Sequence, residues 1–466
     1  MTALSTAPAK TVQRPGRPVG GPLVLRWTMF LAVGFPAYLV WEPAGASGGV
    51  AQLLALALLG LWLASAVFGR FSVWEFRHPA RVGMMVWLLV SLLSYAALMA
   101  GMSGTSTVAE RAAADRWLLL LMAGIGLTLS ITQCLLTRED VRRAVGWMLA
   151  GASVSGLVAA LQFTTLTNPV DWLATLLPGF QDNGSGTPFQ PRGSFTRVAG
   201  MTMHPIELGV VSSMLLPLSI WWGLFSTWSK AWRRWVPAVM LAICCVATVS
   251  RSAMLGLFVS AAVMIPYLPR TARRWALVAG PAFLIVLFVA IPGMVSTLFG
   301  TATAGSSDPS ITARTDDYPL AWTLLVQLPV FGHGPGTWMP VNAMDIFDNE
   351  YLFTAVTMGV VGLAGLVIYL LVPALSSMLA ARHAPDPELR LLAGSVAAAM
   401  FVALASSAAF DSMSFKSFAL LVPIFVGLAG TVWLLVLQQL NQTPGIERST
   451  GNHATRKKYG GRPWIR

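Results

Sequence analysis

Six arginines, Arg111, Arg116, Arg192, Arg197, Arg251 and Arg314, stand apart from the basic clusters of this chain. The longest polar interruption, Ser306 to Tyr351, adds the acids Asp345, Asp348 and Glu350. A guanidinium presents a planar fork of donors that matches phosphate bidentately, which an ammonium cannot do. A set of fixed guanidiniums can therefore hold a diphosphate and stabilise the charge that develops as it leaves a sugar. A carboxylate whose pKa is raised at a membrane edge can take the proton of an attacking hydroxyl. On these grounds Asp348 is the candidate base and Glu350 its alternative. Arg251 and Arg314 are the catalytic cations, with Arg197, Arg192, Arg111 and Arg116 as diphosphate contacts. Arg111 and Arg116 need a loop or a helix start to converge. Taken singly, each arginine is as readily an interface anchor or the partner of a nearby acid, such as Asp115 beside Arg116. As a set of six they are harder to explain that way. No DxD-like metal pair stands out, so no metal and no other cofactor is expected.

These residues must be positioned by a membrane scaffold. The 466 residues are 55% hydrophobic and only 11% charged, with a mean hydropathy of +0.67. An ordinary soluble domain is about 25% charged. Apolar runs of bilayer-crossing length recur from Leu23 to Leu437. The expected fold class is all-α: a polytopic helical membrane protein, because only helices or closed barrels satisfy the backbone in lipid. The net charge of +12 falls into clusters between pairs of apolar runs, which argues for membrane topology and against a nucleic-acid partner. The clusters run Lys10 to Arg26, Arg70/Arg77/Arg81, Arg138/Arg142/Arg143, Lys230/Arg233/Arg234, Arg270/Arg273/Arg274, Arg382/Arg390 and Arg448 to Arg466. Placed on the cytoplasmic side, they leave room for two spans between each pair. About 12 spans follow, at 24–41, 49–69, 82–102, 116–136, 144–163, 201–225, 235–249, 252–268, 275–298, 351–376, 391–409 and 417–437. A turn at Ser250-Arg251-Ser252 is required, since one helix over 235–268 would be roughly 50 Å long.

This topology makes residues 1–23 a basic cytoplasmic arm, 24–440 the membrane domain and 441–466 a basic, disordered tail. Two long loops, 164–200 and 299–350, lie outside. The outer face is then net acidic. Its only cations are the six arginines and Lys416, which is expected to pair with Asp411. Within the second loop, Asp317 to Leu328 has leucines at helical spacing and reads as a helix on or in the membrane surface. Glu207, a turn or two into a span, should face protein or the site, because a carboxylate is costly in lipid. Cys134, Cys244 and Cys245 sit in apolar runs and read as packing residues.

Three outer segments carry a recognisable pattern. The first runs from Arg197 through His204-Pro205-Ile206-Glu207 to Gly209. The second is Ser250-Arg251-Ser252. The third contains Arg314, Pro329-Val-Phe-Gly332-His-Gly334-Pro-Gly336, then Asp348-Asn349-Glu350-Tyr351-Leu352 and Gly359-Val-Val-Gly362. The set resembles the O-antigen ligase and polysaccharide polymerase superfamily over about residues 190–375. Asp348-Asn349 stands where that family has His-Asn, and His204-Pro205-Ile206 where it has His-Pro-Asn. The resemblance implies a membrane glycosyltransferase working at the outer face of the cytoplasmic membrane on an undecaprenyl-diphosphate-linked glycan and a glycan acceptor. It places His204, Glu207, Asn349 and Tyr351 beside the substrate. A chain-length regulator and a flippase are further candidate partners. Polymerase and ligase to lipid A core both fit this pattern. A transporter or flippase of lipid-linked sugars is the rival of another class, and a scaffold for other membrane enzymes is a weaker one.

Overall fold

The structure is a computed structural model describing residues 20–69, 77–192, 195–227, 230–248, 250–290, 309–340 and 345–442. Five helices open the chain: α1 (Leu23–Gly34), α2 (Val50–Val67), α3 (Pro79–Met99), α4 (Val108–Cys134) and α5 (Arg138–Thr165). Strand β1 (Leu39–Trp41) lies between α1 and α2. After α5 come the short α6 (Pro169–Leu176) and strands β2 (Phe180–Asp182), β3 (Phe189–Arg192) and β4 (Phe195–Val198). The rest is helical: α7 (Pro205–Phe225), α8 (Ala231–Ala247), α9 (Arg251–Met264), α10 (Arg270–Ala290), α11 (Pro309–Gln327), α12 (Glu350–His383), α13 (Pro387–Ser406) and α14 (Lys416–Gln442).

Each of the twelve expected spans overlaps one of these helices, with 291–298 of the span 275–298 lying outside the described residues. Among the described residues eight helices are long and apolar enough to cross a membrane: α2 to α5, α7 and α12 to α14. Two boundaries depart from expectation for local reasons. Helix α1 has only 12 residues, because Pro36 drives Phe35 into extended backbone (φ −121°, ψ 144°). The chain then forms β1, which pairs antiparallel with β2. Helix α4 starts well before residue 116, because Thr107 and Glu110 form a capping box ahead of the apolar run. The expected turn near residue 250 is present as the break between α8 and α9. Helix α8 packs on α5 and α7, and α9 on α7 and α13.

Contacts sort the connections into two ends. At one, Arg138 pairs with Asp386 (2.6 Å), Arg142 with Glu388 (2.6 Å), and the Gly20 amide donates to Asp140 (2.7 Å). The Trp221 indole of α7 donates to the Glu388 carbonyl there (3.1 Å). This end gathers the groups that charge patterning assigns to the cytoplasm. At the other, the Lys416 ammonium donates to the Ala46 carbonyl (2.8 Å), and the Ala37 amide to that of Met201 (2.9 Å). We call this the outer end, after the side the charge pattern gives it.

Helix α12 is broken at Gly359, whose φ of 69° and ψ of −170° lie outside any helix. The glycine-rich turn before it fills the break. The His333 and Gly334 amides donate to the carbonyls of Val356 and Thr357 (3.2 and 2.7 Å). In return the Val360 and Val361 amides donate to the carbonyls of Pro329 and Val330 (2.9 and 3.4 Å). Four backbone groups at the break thus keep hydrogen-bond partners, whose loss apolar surroundings would penalise. From α3, Ser94 donates to the Phe331 carbonyl (2.7 Å), and Ser103, just past the helix, to that of Gly332 (3.1 Å). The leucine face of α11 packs Leu320 and Leu324 around Phe347 and Val356, so α12 covers the stripe expected at a membrane surface. Trp322 and Val326 remain exposed.

Both glycines in this exchange are sterically required. A Cβ on Gly359 would lie 2.2 Å from the Val330 oxygen, and one on Gly332 (φ +66°) 2.4 Å from the Thr357 carbonyl carbon. Gly60 of α2 has nothing within 4 Å. Gly359→Ala and Gly332→Ala should each cost more than about 2 kcal/mol. Gly60→Ala should be neutral or slightly stabilising, since alanine favours a helix by up to about 1 kcal/mol over glycine. Thermal unfolding in detergent micelles measures the difference, and equal midpoints for the three variants would contradict the interlock.

Candidate functional site

Strands β3 and β4 form a hairpin pairing Gln190 with Arg197, and the Arg197 guanidinium donates to the Gln190 amide oxygen. Arg197 is 8% exposed. The backbone from there to α7 is held from α5. The Gly200 amide donates to Gln162 Oε1 (2.8 Å), and the Met201 amide to Ser155 Oγ (3.2 Å). His204 then caps α7, its Nδ1 accepting from the Ile206 amide (3.1 Å). Burial, followed by the nearby Arg197 charge, lowers the His204 pKa to about 4, so the imidazole is neutral at neutral pH.

Glu207, in the first turn of α7, is fully buried. Its Oε2 accepts from the Met203 amide (2.7 Å) and its Oε1 from the Phe418 amide in the first turn of α14 (3.1 Å). A carboxylate at two helix N-termini meets both free amides and the positive ends of the helix dipoles. Glu207 therefore faces protein, as the cost of charge in lipid requires. Arg251, half-buried, is the first residue of α9. A Cβ on Gly209 would lie 2.6 Å from Ala253 Cβ and 2.9 Å from Thr248 Oγ1, so the start of α9 sits against the first turns of α7.

The acidic group is built around the start of α12. Asn349 caps the helix, its Oδ1 accepting from the amides of Tyr351 (2.9 Å) and Leu352 (3.4 Å). Glu350 is 2% exposed. Its amide donates to the carbonyls of Ser407 (2.9 Å) and Phe410 (3.2 Å). Its Oε2 accepts from the Met413 amide (2.8 Å) and its Oε1 from the Thr354 hydroxyl (2.9 Å). The Tyr351 hydroxyl donates to the Leu404 carbonyl (2.6 Å). Glu350 and Tyr351 thus hold the start of α12 against residues 404–413, and Asp348 is left exposed at the surface. Asp411 faces this group. Burial raises its pKa to about 7, its own backbone and Ser414 hydrogen bonds oppose that, and the Asp348 charge adds to it.

The connection 407–418 joins the two groups. Met413 is bound to Glu350, Phe418 to Glu207, and the Phe415 ring lies 6.0 Å from the His204 ring and 5.4 Å from Phe410. Lys416 belongs to the Glu207 side, where it donates to Ala46. The expected Asp411–Lys416 pair is not among the ion pairs of the described residues. Arg111 and Arg116 are exposed on the first turns of α4, Arg111 donating to Ser106 (2.8 Å). Five residues apart on a helix, they point roughly 140° away from each other. Asp115 accepts the Tyr95 hydroxyl (2.6 Å). The side chains of Arg192 and Arg314 lie outside the described residues. His333 packs in its turn, with Nε2 3.4 Å from the Leu324 carbonyl oxygen. Trp338 stacks on Phe347. Gln162 was missed by sequence reasoning, although a lone amide late in an apolar run is a usable signal.

The fold is that of a multi-pass α-helical membrane protein. Over residues 213–367 the chain matches the model of the O-antigen ligase family, so it is O-antigen ligase-like across that stretch. The match spans α7 to α12 and includes Arg251, Arg314, the glycine-rich turn and Asp348. Arg197, His204 and Glu207 precede it, and Asp411 and Lys416 follow it. No curated protein matches the chain. The family supports a membrane enzyme of ligase or polymerase type acting with a lipid-linked glycan.

Asp411 makes the acidic group pH-sensitive. Its folded pKa, about 7, is above the ordinary carboxylate value, so the folded state binds its proton more tightly than the unfolded state does. This contribution favours folding at low pH and is lost as pH rises from about 4 towards 7. Asp411→Asn, which keeps the shape and stays neutral, should be more stable than the parent at pH 8 and close to it at pH 4. Melting curves of both proteins across that range check the sign; a gap widening towards acid would reverse it.

Proposed function

We propose that this protein transfers or polymerises a cell-surface glycan from an undecaprenyl-diphosphate-linked donor at the outer face of the cytoplasmic membrane. The observation that carries the reading is that one connection, 407–418, ties the start of α12, next to exposed Asp348, to the start of α7, which follows buried Arg197 and lies against the start of α9 with Arg251. The central stretch of the same chain is O-antigen ligase-like. In this reading an acceptor hydroxyl attacks the anomeric carbon and Asp348 takes its proton. The bond from that carbon to the diphosphate oxygen breaks, and the configuration inverts. Arg197, Arg251 and Arg314 receive the charge on the departing diphosphate. Arg192, Arg111 and Arg116 are outer contacts along its approach. His204, neutral and fixed as a cap, and Asn349 and Tyr351, fixed by backbone bonds, shape the walls. Glu350, with both carboxylate oxygens engaged, holds the base in place.

A transporter of lipid-linked sugars would use an interrupted helix to line a cavity with free backbone groups. The interruption in α12 is instead sealed by the turn 329–334. This favours a fixed scaffold around an enzyme site. Polymerase and ligase differ in the acceptor, another lipid-linked glycan or lipid A core. A chain-length regulator and a flippase would work beside the polymerase.

The test is glycan assembly in cells, or with reconstituted protein and lipid-linked donor. Arg251→Ala, Arg314→Ala and Asp348→Ala should each lower the yield by about a hundredfold or more, with protein levels unchanged. Normal polymer length and yield in all three variants would overturn the proposal.

A further inference from the structure

A crevice opens at the outer end between α1, α2 and α14. Leu31, Phe35, Val50 and Leu420 give it apolar walls, and Gln52, Lys416 and Ser417 bring polar groups to it. Three features of its lining point to an anion. Gln52 is only 3% exposed, and among the described residues its side-chain amide makes no hydrogen bond. A primary amide in an otherwise apolar run needs a polar partner, and the crevice is where one can reach it. The 18-residue helix α2 begins at the crevice with Gly49 as N-cap and no side chain closing its first amides. A helix start of this kind attracts negative charge. Finally, Lys416 gives one ammonium proton to Ala46, which leaves two for another acceptor. By contrast, the start of α14 already has an anion, the Glu207 carboxylate.

We infer that this crevice binds the phosphodiester headgroup of an anionic phospholipid from the surrounding bilayer. One ammonium and one helix start match a single negative charge, whereas a diphosphate carries more charge and is better matched by the guanidiniums. The Gln52 amide can donate to the headgroup and accept from its hydroxyls. The apolar walls, at the membrane edge of three helices, take the glycerol backbone and the first acyl carbons. The site is distinct from the proposed catalytic groups but touches them through Lys416-Ser417, the start of the helix that Glu207 anchors. A bound lipid would steady that start.

The test uses the full chain in nanodiscs of phosphatidylcholine alone or with phosphatidylglycerol. Bound lipid is read by native mass spectrometry and stability by thermal unfolding. The parent protein should retain phosphatidylglycerol and melt higher in its presence. Lys416→Gln and Gln52→Leu should each weaken retention about tenfold, the loss expected for one charge-assisted hydrogen bond. Gln52→Leu should fold in phosphatidylcholine at least as well as the parent, since it removes an unsatisfied amide, and it decides the matter if Lys416→Gln folds poorly. Equal retention by parent and variants, equal retention of phosphatidylcholine, or displacement of the lipid by inorganic pyrophosphate would overturn the inference. None of these readings depends on glycan transfer.

Discussion

The exchange of backbone hydrogen bonds between the turn at 329–334 and the break in α12 is the constraint on which the rest depends. In a bundle that crosses a membrane, an unsatisfied amide or carbonyl has no water to turn to. A helix broken at Gly359 exposes both at once, and the turn supplies the complementary groups. The long loop before α12 is therefore fastened to the bundle by main chain, and its register is set by bond count. The start of α12 is held independently by Glu350 and by Asn349. Asp348, one residue outside that start, is in this way fixed relative to both α3 and the connection 407–413.

The second constraint is electrostatic. Two buried carboxylates, Glu207 and Glu350, would be expensive alone in apolar surroundings. Each is surrounded by hydrogen-bond donors, and most of these are backbone amides. Because the amides come from a different helix or connection, each carboxylate also acts as a tie. Glu207 ties α7 to α14, and Glu350 ties α12 to the stretch ahead of α14. Both ties end in the same connection. The start of α7, which follows Arg197 and lies against the start of α9 with Arg251, and the start of α12, which follows Asp348, are thus tied to one connection.

Most of the scaffold was legible in the sequence because it depends on local quantities. Apolar run length puts helices where spans were expected over the described residues, and charge patterning agrees with the contacts Arg138–Asp386 at one end and Lys416–Ala46 at the other. Errors at the edges also have local causes: Pro36 stops α1 early, and the Thr107 capping box starts α4 early. What could not be read was pairing across the chain. Nothing in Met358-Gly359-Val-Val-Gly362 announces that its break is filled from the turn nearly 30 residues earlier. Asn349 and Tyr351 read as substrate-adjacent and Glu350 as an alternative base because of the motif they stand in, yet each is committed to a backbone contact. Lys416 sits near Asp411 in sequence, but the turn at Ser412–Ser414 separates them, so that one faces Glu207 and the other Asp348.

The two halves of the rim differ in how they hold charge. Arg197 lies beside a histidine that burial and the guanidinium itself keep neutral down to about pH 4. The histidine adds no titrating charge there, and a guanidinium does not lose its proton in any ordinary range. The guanidinium keeps its positive charge across neutral pH. On the acid side Asp411, half-buried beside Asp348, exchanges its proton near pH 7. The Asp348 charge beside it strengthens the hold of Asp411 on its proton. A pH dependence near neutrality can therefore start on Asp411.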